Sequence, residues 1–177
     1  MATDYISLLE MGSERSVADL AVKALEDKPD EIRHVLDLCF LEEYPLSMRA
    51  ARVIQLYCEK YPESIYPFLE ESVEKMLQSG IDGVKRNFLK IFAEFIDINR
   101  LSEPGPLLNA CFNWLQDPGE KPGTRIHAMN VIYHIAMKEP DLLKELSATL
   151  ELVGEEGEIS IMNCIAKMKM RISKTKH

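Results

Sequence analysis

The sequence predicts an all-α fold, a short α-solenoid of about ten helices in five hairpins, and three observations predict it. The first is punctuation. Lys28-Pro29-Asp30, Lys60-Tyr61-Pro62-Glu63 and Lys138-Glu139-Pro140-Asp141 each follow an apolar helical pattern. A lysine suits the negative end of a finishing helix. Proline is tolerated in a first turn, where its missing N–H is no loss, and the neighbouring acid faces the positive end of the new helix. The prolines lie 33 and then 78 residues apart, the second spacing close to twice 39, which is the range of two-helix repeats. The second observation is a wide apolar helical face that recurs at the same interval. The third is the lack of a strand signal: no sustained alternation is bounded by Asn-Gly or Asp-Gly turns, and Asp82-Gly83 sits where a helix begins.

The recurring face is clearest in residues 46 to 61, where Ala50, Ala51, Val53, Ile54, Tyr57, Cys58 and Tyr61 follow i, i+3, i+4, i+7 spacing while Arg49, Arg52 and Glu59 stand opposite. Taken in order, a short opening helix at about 3 to 11 carries Ile6 and Leu9. The first copy of the pattern, 33 residues before the template, holds Val17, Ala18, Leu20, Ala21, Ala24 and Leu25. A partner helix at 30 to 41, with Ile32, Leu36 and Phe40, precedes the template. Another at 62 to 78, with Ile65, Leu69, Val73 and Met76, precedes the copy made by Phe88, Leu89, Ile91, Phe92, Phe95 and Ile96. Residues 104 to 116, with Leu107, Leu108, Cys111, Phe112 and Leu115, pair with Ala128, Met129, Val131, Ile132, Ile135 and Ala136. Residues 140 to 153, with Leu142, Leu143 and Leu146, pair with Ile161, Met162, Cys164, Ile165 and Met168. Gly12-Ser13, Ser79-Gly80, Asp117-Pro118-Gly119 with Pro122-Gly123, and the stretch Gly154 to Gly157 supply fold-back points. Ser13, the run Glu14 to Ser16, Ser47 and Thr124 supply cap-like residues near helix starts.

Composition bounds the reading. A chain of 177 residues fits one domain, 1–177, with a capping helix over 1–12 and a basic tail over 173–177, and is long enough to bury an ample core. The net charge of -8 hides an asymmetry: residues 165 to 177 hold Lys167, Lys169, Arg171, Lys174 and Lys176 and no acid, so the other 16 cations face all 29 acids. An acidic body repels phosphate backbones and disfavours general nucleic-acid binding. The basic stretch reads as a solvated helix end whose cations suit the helix dipole. Cys39, Cys58, Cys111 and Cys164 lie far apart among apolar residues with no metal-ligand spacing, which predicts reduced, buried thiols in a cytoplasmic protein. The opening residues lack a signal-peptide pattern and no apolar run reaches membrane-spanning length, so neither export nor insertion is expected.

Through Arg49-Ala50-Ala51-x-Val53-Ile54, and next His127-Ala128-Met129-x-Val131-Ile132, the chain resembles the HEAT-repeat family and more loosely the armadillo-like superfamily, over nearly all of residues 13 to 172. The first-helix proline and inter-helix aspartate common in that family occur only irregularly here. The resemblance implies a right-handed α-α superhelix, a HEAT-like solenoid whose second helices line a concave side. On that alignment the polar slots of the second helices form columns: Arg49, Arg52 and Glu59; Asn87, Lys90, Glu94 and Asp97; His127, Asn130 and His134; Asn163 and Lys167; preceded by Ser16, Asp19, Lys23 and Glu26. Asparagine and arginine at repeated intervals can hydrogen-bond an extended backbone. Arg49, Arg52, Asn87, Lys90, Glu94, His127, Asn130, His134, Asn163 and Lys167 are therefore the candidate partner-binding residues, although every amphipathic helix also has a wet face.

His127 and His134 share a face at i, i+7, but two turns separate them by ~10 Å along the axis, too far to share one metal. Trp114 is expected to pack between hairpins, and Tyr57, Tyr61 and Tyr66 to seal the junction near Pro62 and Pro67 with hydroxyls turned to water or backbone. No G-x-S-x-G, H-E-x-x-H or phosphate-cradling glycine loop occurs. The expectation is a non-enzymatic scaffold or adaptor that binds a protein or peptide, with no cofactor, no metal and no membrane. The alternative is a nucleic-acid-binding HEAT-like domain of the DNA-glycosylase type, with Arg49, Arg52, Lys90 and Lys167 facing phosphate. Self-association is a third possibility, because solenoid ends need polar caps and Ile6, Leu8 and Leu9 crowd the first helix.

Overall fold

A computed structural model describes residues 2–155 and 159–175. These residues fold into ten α-helices joined by turns and short 3-10 segments, with no strand among them. Lys176 and His177, at the tip of the basic tail, and the stretch 156–158 that includes Gly157 lie outside the described residues. The chain gathers into two compact units, Met1–Asp97 and Ile98–His177.

The first unit holds α1 (Tyr5–Glu10), α2 (Arg15–Asp27), α3 (Ile32–Cys39), α4 (Leu46–Lys60), α5 (Leu69–Gln78) and α6 (Asp82–Glu94). Consecutive helices pair as hairpins, α1 with α2, α3 with α4, α5 with α6, while α4 also packs against both α2 and α6. That position between two second helices explains its burial. Ala50, Ala51, Val53, Ile54 and Cys58 are wholly enclosed, and so are Phe88, Leu89, Ile91 and Phe92 of α6. Each large apolar side chain removed from water contributes about 1.5–3 kcal/mol. Arg33 of α3 clamps Glu71 of α5 with two hydrogen bonds of 2.6 and 3.0 Å.

The second unit holds a 3-10 turn at Ile98–Arg100, then α7 (Gly105–Gln116), α8 (Pro122–Ala136), α9 (Pro140–Glu155) and α10 (Ile159–Thr175). Here α7 pairs with α8, α9 with α10, and α8 touches both α9 and α10. Arg125 is fully buried, and its Nε donates to the Leu115 carbonyl at 3.1 Å, placing a cation against the carboxyl end of α7, where carbonyls lack helical partners.

The structure corrects several local expectations. The helix expected over 62–78 is a 3-10 run, Pro62–Phe68, followed by α5 from Leu69. Pro67 is the reason: it has no N–H for an i→i−4 bond and its ring crowds the preceding turn. The helix expected over 30–41 begins as a 3-10 turn at Pro29–Glu31 and ends at Cys39, and Glu42 beyond it has φ 58°. Capping agrees in part. The cap of α2 is Glu14, one of the expected residues, but without a side-chain bond, and Thr124 is buried inside the first turn of α8. Ser47 accepts the Glu43 N–H at 3.1 Å, and Asp4, which the pattern did not flag, caps α1 by accepting the Ser7 N–H at 3.0 Å. Leu20 and Met162 are exposed and Cys164 half-buried, whereas their counterparts Val53, Met129 and Val131 are buried. The copies of the pattern at the two chain ends lack a helix on one side. The tyrosine contact forms in part as expected: the Tyr57 and Tyr61 rings lie 4.9 Å apart and the Tyr66 hydroxyl accepts the Asp97 N–H at 2.8 Å, but the Tyr61 hydroxyl goes to the Glu26 carboxylate instead of water or backbone.

Candidate partner-binding surface

In the first unit the candidates lie on α4 and α6. Arg49 is half-buried and already engaged: its Nε donates to Ser13 Oγ at 2.8 Å and its Nη1 to the Leu9 carbonyl at 2.8 Å, binding the end of α1 to α4. Arg52, one turn along, projects from the surface. Asn87 is buried, and its amide turns back on its own helix to donate to the Gly83 carbonyl at 2.7 Å. That geometry competes with any backbone ligand for the same donor. Lys90 is half-buried with its ammonium 5.8 Å from the Phe95 ring centre, and Glu94 is exposed at the last residue of α6. On α2, Asp19 pairs with Arg15 at 2.8 Å, while Glu26 takes Lys60 at 3.0 Å and the Tyr61 hydroxyl at 3.2 Å. The hydrogen bond from Lys60, ahead of its charge, holds the Glu26 carboxyl below the usual range.

In the second unit two candidates, Asn130 and His134, are linked through Arg171 and Tyr133. Asn130 donates to the Ile126 carbonyl at 3.0 Å, and its Oδ1 accepts Arg171 Nη1 at 3.4 Å. The Arg171 guanidinium lies 4.3 Å from the Tyr133 ring centre, and the His134 ring stands edge-on to the same tyrosine at 5.8 Å. His127 shows Nδ1 buried, and His134 is half-buried, its backbone carbonyl accepting Asn99 Nδ2 at 3.2 Å. Asn163 and Lys167 are exposed on α10.

Two contributors escaped the sequence reading. Tyr133 belongs to the apolar side of α8 by spacing, and Arg171 falls in the basic stretch 165 to 177 that reads as a solvated helix end. In the structure Arg171 is stacked on Tyr133, and Lys169 pairs with Glu151 at 3.0 Å, so half of the four described cations of α10 are held by neighbouring helices. The available signal was spacing: Arg171 follows Met168, a residue of the recurring apolar pattern, by three positions, which places it one turn from the core face.

Among the described residues no group of three or more His, Cys, Asp or Glu side chains is arranged to hold a metal ion, and no helix is long and apolar enough to cross a membrane. Burial pushes the Cys58 thiol up to about 12 and raises those of Cys39 and Cys111 well above the ordinary value, so all three stay protonated and unreactive near neutrality. A cavity of about 460 Å³ opens at one end of the second unit between Ala136, Met137, Pro140, Leu143, Lys144 and Thr175. Its walls are mainly apolar, and Lys144 is paired with Asp141 at 3.0 Å. What the two clusters offer chemically is a set of donors, cations and aromatic edges on helix surfaces, suited to contacting a polar partner.

No curated protein and no solved structure matches the chain. A family model described as a HEAT repeat domain matches residues 7–175, from within α1 to the last described residue of α10. With hairpins repeating along both units and that match spanning nearly the whole sequence, the chain belongs to the HEAT repeat family.

Proposed function

We propose that this protein is a non-catalytic adaptor that binds a protein or peptide through the outward polar positions of its second helices. The proposed contacts are Arg52, Lys90 and Glu94 in the first unit and His134, Asn163 and Lys167 in the second. The observation that carries this reading is the repeat architecture itself, matched over residues 7–175: a repeat contacts only its neighbours, which leaves long helix surfaces open to partners. Arg49, Asn87, His127 and Asn130 move to a supporting role, because hydrogen bonds or burial within the fold already occupy them. The buried thiols fit a reducing compartment, and a cytoplasmic location is part of the same proposal.

The test is comparative capture. Arg52→Glu with Lys90→Glu, and separately His134→Ala, are matched to the wild type by circular dichroism and then used as bait. Partners retained by the wild type and lost by both variants support the surface; equal recovery by all three dismisses it. The nucleic-acid alternative sets Arg49, Arg52, Lys90 and Lys167 against phosphate. Binding to duplex or single-stranded DNA at about 50 mM salt that falls steeply as salt rises would favour it. The adaptor reading expects no such binding.

A further inference from the structure

The second unit ends on a helix with an open side. Nine of the fifteen residues of α4 are buried, but only four of the seventeen in α10: Ile161, Ile165, Met168 and Ile172. A stripe beside them is apolar and exposed. Ile159 is 85% exposed, Met162 39% and Met170 58%, with Ala166 between them, at spacings of three, four and four residues. Such spacing marks one helix face.

The internal repeat says what covers this stripe elsewhere. Aligning α10 on α4 by the recurring pattern places Ile159 on Met48, Met162 on Ala51 and Ala166 on Gln55. In α4 that stripe is closed by the next second helix: Ala51 and Gln55 are buried, and Met48 lies so near Gly83 of α6 that a Cβ there would come within 2.2 Å of Met48 Cγ. The covering stripe of α6 runs from Gly83 through Asn87 to Ile91, the last two buried. The same alignment places these three on Gly12, which precedes α2, and on Ser16 and Leu20 within it, where Ser16 is exposed and Leu20 is 51% exposed. One end thus carries the face that is covered in α4, and the other carries the face that does the covering in α6.

Charge agrees with that match. Residues 159–175 hold Lys167, Lys169, Arg171 and Lys174 with no acid. Residues 4–27 hold Asp4, Glu10, Glu14, Asp19, Glu26 and Asp27 against Arg15 and Lys23. Pairing α10 with another α10 would oppose four cations to four, whereas pairing it with α2 of another copy opposes cations to an acidic excess.

We infer that copies of this chain associate head to tail, with the Ile159, Met162 and Ala166 stripe of one copy seated on the Ser16 and Leu20 face of the next, as α4 seats on α6. A heterologous contact of this kind continues from copy to copy. It shares α10 with the proposed adaptor surface, since Asn163 and Lys167 adjoin Met162 and Ala166, but mass in solution reads it apart from the capture of another protein.

Sedimentation equilibrium from micromolar to millimolar protein reads the result directly. The expected outcome for the wild type is an average mass that rises above 20.2 kDa with concentration and falls back between about 0.1 M and about 1 M salt, as screening weakens the charge match. Met162→Glu and Leu20→Glu, both surface changes, should each stay at the mass of one chain. Mixed together they should form a dimer and nothing larger, because each retains the end that the other has lost. A wild type that is monomeric throughout overturns the inference. So does a Leu20→Glu variant that still dimerises alone, which would show symmetric pairing through α10. Ile159→Glu replaces Met162→Glu if the latter fails to give the helical circular dichroism of the wild type.

Discussion

At the residue scale, what separates a binding side chain from a bracing one is where its hydrogen bonds already go. Arg49 and Arg52 are three residues apart on α4 and look equivalent in the sequence, yet Arg49 spends its guanidinium on Ser13 and the Leu9 carbonyl while Arg52 points outward. Arg49→Ala is therefore expected to lower unfolding stability by about 1–3 kcal/mol, since it removes a charged donor from a half-buried carbonyl. Arg52→Ala should stay within about 0.5 kcal/mol of the wild type. Urea unfolding of the two variants measures the difference, and hydrogen exchange should speed up in residues 5–10 for Arg49→Ala alone. Periodicity could not have sorted this pair. It reports which side of a helix a residue occupies, but the reach of an arginine across to another helix, or the return of the Asn87 amide to Gly83, depends on distances that only the packed hairpins set.

At the element scale the sequence was most legible where helices are long and doubly flanked. The spacing of apolar residues located α4, α6, α7 and α8 and predicted the order of all ten helices, because a face buried on both sides must be apolar across a wide arc. It was least legible at element starts, where Pro67 turns an expected α-helix into a 3-10 run, and at the terminal copies, where Leu20 keeps the pattern without the burial. Gly83 marks a close approach between α4 and α6. An added methyl would meet Met48 Cγ at 2.2 Å and Met48 Cβ at 3.1 Å. Rotating the methionine can relieve the first contact, but the second follows the backbone of α4. The overlap thus outweighs the gain of roughly 1 kcal/mol that alanine brings over glycine in a helix. Gly83→Ala should cost about 1–3 kcal/mol. A double-mutant cycle with Met48→Ala checks the cause: the two changes together should cost less than their sum, and strict additivity would place the strain elsewhere.

For the molecule as a whole, the uneven placement of stabilised carboxylates predicts an uneven response to acid. Among the described residues, the carboxylates of Asp4, Glu26, Glu31 and Glu71 are held below the ordinary range, and all four belong to the first unit. Glu31 is the strongest case. Hydrogen bonds from the Thr3 side chain and backbone, opposed by burial and helped by Tyr5 and Lys28, bring it from 4.5 to about 2. Glu71 is held down by Lys75 and then Arg33. A group whose folded value is depressed binds its proton more readily in the unfolded chain, so its stabilisation is complete above about 4.5 and is lost as the pH falls toward about 2. Below the sequence pI of about 5.1 the chain also becomes net positive, which adds self-repulsion throughout. Between pH 7 and pH 3, then, backbone hydrogen exchange should accelerate in residues 4–97 before it does in residues 98–155, at matched intrinsic exchange rates. Glu31→Gln and Glu71→Gln should flatten that difference, because a side chain that cannot ionise contributes no proton linkage. Equal acid sensitivity of the two units in the wild type would mean that the retained charge of these four carboxylates does not set the acid response, and that general self-repulsion does.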